Sequence, residues 1–134
     1  MLLINIHHVG VAVRDLDAAL AEYRRQYLVE PISREIVESQ GIEEAMIAVG
    51  GSHIQLLAAL DADSPVGKFL AARGEGLHHV AYAVADVDAA LAHLAAEGVE
   101  VIDEEPRRGG GGARIAFVHP KSLAGTLIEL VESP

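Results

Sequence analysis

His7-His8-Val9-Gly10-Val11-Ala12-Val13-Arg14-Asp15-Leu16-Asp17-Ala18-Ala19-Leu20-Ala21 returns later in the chain as His78-His79-Val80-Ala81-Tyr82-Ala83-Val84-Ala85-Asp86-Val87-Asp88-Ala89-Ala90-Leu91-Ala92. Eleven of the fifteen aligned positions are identical, so the chain contains two copies of one unit, split near its middle. Both phrases open on β-branched residues in alternation, which predicts strands over residues 4–13 and 77–84. Side chains alternate along a strand, so Val9, Val11 and Val13 share a bulky face with His7, and His8 shares an emptied face with Gly10 and Ala12. The second copy repeats the division, with Val80, Tyr82 and Val84 opposing His79, Ala81 and Ala83. A bulky face for packing and an emptied face bearing one histidine is the layout of a pocket wall.

A helix follows each strand. Asp15 and Asp86 stand at the N-cap, with Asp17 and Asp88 in the first turn, where the helix dipole favours a negative charge. Leu16, Leu20, Tyr23 and Tyr27 recur at helical spacing in the first copy, and Val87, Leu91 and Leu94 in the second, which predicts core stripes. Strand segments then follow at Ile32–Val37, Ile42–Val49 and Ser52–Ala58, and again at Val99–Asp103, Ala113–His119 and Thr126–Val131. The unit is βαβββ and the fold class α+β, with modules over about 4–60 and 76–132 forming one domain across 1–134. Ser64-Pro65 opens a connector helix over about 64–74 as N-cap and N1. The Gly109–Gly112 run precedes a strand, and no Lys-Ser/Thr follows it, so it reads as a turn or lid and not a phosphate loop.

Composition removes whole classes of function. A net charge of −10 and a pI near 5.0 leave no basic stripe for nucleic acid. No apolar run approaches a membrane span, and the start lacks a basic leader, so the expectation is a protein with no membrane partner. With no cysteine, disulfides and thiolate chemistry are excluded and any metal has only nitrogen and oxygen ligands. The same absence fits a reducing cytoplasm.

The last strand of each copy carries a polar residue in apolar surroundings: Gln55 in His53-Ile54-Gln55-Leu56-Leu57 and Glu129 in Leu127-Ile128-Glu129-Leu130-Val131. An unpaired buried carboxylate costs several kcal/mol or takes up a proton, so Glu129 needs a partner. The sequence separations His8 to Gln55 and His79 to Glu129 nearly match. One nitrogen and one oxygen donor from each copy therefore predict a four-ligand, open-sided metal site of His8, Gln55, His79 and Glu129. His7 and His78, on the bulky face, read as structural, and His93 and His119 as surface groups. Lys121, Arg107, Arg108 and Arg114 are either candidates for phosphate contacts or solvated surface charges, two readings of equal standing.

These segments resemble the vicinal oxygen chelate superfamily, and within it the methylmalonyl-CoA epimerase family over nearly the whole length. The resemblance is carried by Ile6-His7-His8-Val9, Gln40-Gly41-Ile42-Glu43-Glu44, Gln55-Leu56-Leu57, Gly76-Leu77-His78-His79-Val80-Ala81 and His119-Pro120-Lys121-Ser122-Leu123-Ala124-Gly125-Thr126-Leu127-Ile128-Glu129-Leu130. It implies two paired βαβββ modules about one divalent ion, held by His8, Gln55, His79 and Glu129, with cobalt ahead of manganese, nickel or zinc. It implies methylmalonyl-CoA as substrate, Glu44 and Glu129 as the two acid–base groups that invert its acidic carbon, a homodimer, and a place in propionate metabolism. Two readings compete: a glyoxalase-type metal isomerase, which has glutamate where this chain has Gln55, and a metal-free module that sequesters small molecules. The chain departs from the family at Tyr27-Leu28, where an aromatic-glycine pair is usual, and in its short Gly50-Gly51 turn.

Overall fold

A computed structural model describes residues 1–133. Contacts divide it into two compact units, one made of Val9–His78 and the other of Met1–His8 together with the chain from His79 onward. The first strand, β1 (Asn5–Ala12), crosses that boundary, so the segment bearing His8 belongs with the second repeat. Ile4 donates its backbone N–H to Ala83 O at 2.8 Å, and Leu3 packs on the second unit's core.

In the unit Val9–His78, the order is α1 (Leu16–Tyr27), β2 (Ser33–Val37), β3 (Ile42–Val49), β4 (Ser52–Ala59) and α2 (Pro65–Arg73). β3 pairs antiparallel with both β2 and β4. Asp15 caps α1 by accepting from Ala18 N–H at 3.0 Å, and Ser64 caps α2 by accepting from Gly67 N–H at 3.0 Å. Leu16 and Leu20 pack with Val13, Ala45, Ile47 and Leu56, so α1 covers one sheet face. On the other face, Val66 and Leu70 of α2 pack with Ala12, Val37, Ile42 and Leu57.

The other unit contains β5 (Gly76–Val84, from His79 on), α3 (Val87–Ala96), β6 (Arg107–Arg108), β7 (Arg114–Val118) and β8 (Ile128–Glu132). β5 runs parallel to β8, which pairs antiparallel with β7, and β7 in turn with β6. Asp86 caps α3 by accepting from Ala89 N–H at 3.0 Å. Val87, Ala90 and Leu91 of α3 pack on Val84, Ala116, Val118, Ile128 and Leu130. Ala81, Ile115, Phe117 and Val131 cluster on the face turned from the helix.

Two expectations need correction, the strand over Val99–Asp103 and the core place of Tyr27, while the turn expected at Gly109–Gly112 is met. The strand over Val99–Asp103 shrinks to a single bridge, Val101 to Val118, and the short β6 pairs with β7 instead. The acidic run Asp103-Glu104-Glu105 and Pro106, which has no N–H to donate, break the ladder there. Gly109–Gly112 is the turn of the β6–β7 hairpin, with Gly111 and Gly112 at φ 67° and 75°. Tyr27 leaves the core stripe: it is exposed, its ring tilted against Tyr23 with centroids 6.0 Å apart.

Leu28 closes α1 at φ 58° and ψ 36°, the left-handed cap conformation that glycine ordinarily supplies. Its side chain is exposed, so it recovers little by packing. Leu28→Gly is therefore expected to raise stability by about 0.5–1 kcal/mol, the left-handed penalty less the greater chain entropy of glycine, measured by denaturant unfolding.

Candidate metal centre

The faces turned away from α1 and α3 are where the sequence places its polar residues. In β5, His79 and Ala81 lie on the same side, and the ladder sets Ala81 opposite Glu129 of β8 and Glu129 opposite Phe117 of β7. His8, from the half of β1 that belongs to this unit, completes the group. All three side chains are buried. His79 Nε2 stands 2.9 Å from Glu129 Oε1, His8 Nε2 stands 3.1 Å from the same oxygen, and the two Nε2 atoms are 3.0 Å apart. Phe117 closes one side, its ring edge-on to His79 with centroids 5.9 Å apart.

Burial pushes the Glu129 carboxyl up, but hydrogen bonds from His79 and then His8, with the charges on those imidazoles, outweigh it and hold the group at about 2. Glu129 is thus an anion at neutral pH although it is buried. Such a site invites a cation. Among the described residues, His8, His79 and Glu129 form the group of histidine and acidic side chains that can hold a metal ion. The three candidate ligand atoms lie within 4.8 Å of one another, close enough to share one ion.

In the other unit, Glu44 and Gln55 are both buried. β3 and β4 pair Glu44 with Leu57 and Met46 with Gln55, so the two polar side chains are diagonal neighbours on one sheet face, the face turned from α1. Gln55 Oε1 is buried with no hydrogen-bond partner among the described residues. A buried amide oxygen left in that state costs about 1–3 kcal/mol, which an electrophile such as a metal ion would offset.

His78 meets Phe69 edge-on at 4.8 Å between centroids, as a structural residue would. His7 does more than its packing face predicted: its Nδ1 lies 2.7 Å from His8 Nδ1. Strand alternation hides this contact, because it treats the two faces as separate. Among the cations, Arg114 is neutralised by Asp88 at 2.7 Å and Glu132 at 3.0 Å, and Lys121 pairs with Glu100 at 2.5 Å. Arg108 donates to Gly112 O at 2.8 Å. Arg107 lies over the Phe117 ring at 5.2 Å, with Asp103 3.4 Å away.

Because the folded carboxyl lies below its ordinary 4.5, the stabilisation it represents is complete above about pH 4.5 and fades as pH falls towards 2. In metal-free protein the Glu129 side-chain carbon, followed by NMR, should still report an ionised group at pH 3.5. A midpoint near 4.5 would mean that the two imidazoles do not hold it.

Residues 7–117 match the glyoxalase/bleomycin resistance protein/dioxygenase superfamily. A curated relative, the ethylmalonyl-CoA/methylmalonyl-CoA epimerase of Cereibacter sphaeroides, is 35% identical over 128 residues, covering 94% of this chain and 96% of its own. A solved structure of a Streptomyces coelicolor methylmalonyl-CoA epimerase variant in complex with 2-nitronate-propionyl-CoA superposes with a TM-score of 0.94 at 47% identity, covering 98% of each chain. Methylmalonyl-CoA epimerase from Mycobacterium tuberculosis gives 0.94 at 43% identity, over 99% of this chain and 91% of that one. Sequence, fold and relatives agree that the chain belongs to the glyoxalase/bleomycin resistance protein/dioxygenase superfamily and, within it, to the methylmalonyl-CoA epimerases.

Proposed function

We propose that this protein interconverts the two epimers of methylmalonyl-CoA by moving the proton on the carbon between the carboxylate and the thioester. The observation that carries the reading is the buried, ionised Glu129 held between two imidazoles, in a chain 47% identical to an epimerase that binds 2-nitronate-propionyl-CoA. His8, His79 and Glu129 would hold one divalent ion per chain, and likeness to the epimerase family gives the fourth donor's role to Gln55, whose amide oxygen is buried without a hydrogen-bond partner among the described residues. Donors that are all nitrogen and oxygen suit cobalt, manganese, nickel or zinc, and likeness to the epimerase family puts cobalt first. When bound, the ion supplies Lewis acidity towards the thioester carbonyl.

The chain's own groups do the proton transfers. Inversion requires a proton to leave one side of the carbon and another to arrive on the opposite side, so two carboxyl groups must alternate between ionised and protonated forms. We assign these roles to Glu44 and Glu129. One breaks the C–H bond and takes the proton, and the electron pair moves to the thioester oxygen. The other returns its proton to the opposite side. Leu57, opposite Glu44 on the ladder, and Phe117, opposite Glu129, place apolar groups beside both carboxyls and keep bulk water from quenching the carbanion. Arg107, with Phe117 between it and His79, is the cation best placed for the phosphates of the CoA moiety. Likeness to the epimerase family supports a homodimer and a role in propionate metabolism, and a chain without cysteine suits a reducing cytoplasm. No helix is long and apolar enough to cross a membrane.

Deuterium should wash into the α-carbon of methylmalonyl-CoA with the wild-type protein. Glu44→Gln should lower epimerisation by about 100-fold or more and leave the bound divalent ion in place by elemental analysis. Unchanged turnover in that variant removes Glu44 from the reaction.

A further inference from the structure

We propose that His7 is a positioning residue for the metal centre: its Nδ1 accepts a hydrogen bond from His8 Nδ1–H and so favours, in the metal-bound state, the His8 tautomer whose Nε2 presents its lone pair to the ion. This inference rests on the reading of His8 as a metal ligand.

Proton counting sets the direction of the bond. A neutral imidazole carries one N–H, and a metal-binding nitrogen must present a lone pair. His8 directs Nε2 at its two partners in the trio, so when that atom binds an ion its single proton belongs on Nδ1. His8 is buried, and a proton there needs an acceptor. The nearby atom is His7 Nδ1, 2.7 Å away, with the rings at 76° and their centroids 5.0 Å apart. His7 can accept only if its own proton lies on Nε2. The pair is therefore directional, and the preference imposed on His8 runs against the tautomer that free histidine favours in water, where the proton lies mainly on Nε2. The second copy of the repeat places the equivalent His78 ring elsewhere, edge-on to Phe69.

Two variants and one spectrum test it. His7→Leu keeps the bulk and removes the acceptor, while His7→Asn sets an amide oxygen about where Nδ1 stood. Zinc affinity, measured by competition with a chelating dye, should fall about 10–100-fold in His7→Leu and stay within about 3-fold of wild type in His7→Asn. Thermal unfolding of the metal-free forms separates loss of affinity from loss of fold. If His7→Leu fails to fold, nitrogen-15 NMR of the zinc-loaded wild type decides, and should show His7 protonated on Nε2 with its Nδ1 accepting from His8 Nδ1–H. Wild-type affinity in a folded His7→Leu, or a His7 protonated on Nδ1, overturns the proposal. A wild-type protein that binds no zinc, cobalt or manganese overturns the metal reading as well, a result distinguishable from a selective failure of the His7 variants.

Discussion

Glu129 lies inside a strand whose neighbours, Ile128, Leu130 and Val131, are core residues, and a carboxylate there has no access to the solvent that would stabilise it. Two imidazole nitrogens converging on one of its oxygens supply what water would have given. The packing is arranged around that need. Leucine and valine from α3 are confined to one face of β5, β7 and β8, which leaves the opposite face to Ala81, Ile115, Phe117, Val131 and the charged group. The emptied side of the strand, Ala81 beneath His79, is what lets a ring and a carboxylate approach each other across a parallel pair.

The repeat makes much of this legible. Identical caps at Asp15 and Asp86, the hydrophobic stripes behind them and the alternation on either side of the histidines each correspond to a local rule, and each appears in the structure at the expected residues. What escapes such rules is non-local or geometrical. Tyr27 follows the helical period, yet its side chain is exposed. The strand expected at Val99–Asp103 has suitable side chains, but the ladder fails where acidic residues and a proline follow. Alternation assigns His7 to packing because adjacent residues on a strand face opposite ways, a rule about Cβ directions that says little about where a five-membered ring carries its nitrogen.

Gln55 shows how charge selects among chemistries that share a fold. In the proposed centre Glu129 would be the lone anionic donor, leaving a divalent ion a net positive charge of one, and the neutral amide of Gln55, in the role that likeness to the epimerases gives it, would not reduce that charge. A second carboxylate in that position, as the glyoxalase-type pattern has, would cancel the remaining charge. Methylmalonyl-CoA already carries a carboxylate beside its acidic carbon and gains negative charge on the thioester oxygen as the proton leaves, so its chemistry favours the more positive centre. On the proposed reading, an amide at Gln55 in place of a carboxylate matches the charge of the site to that of the reaction.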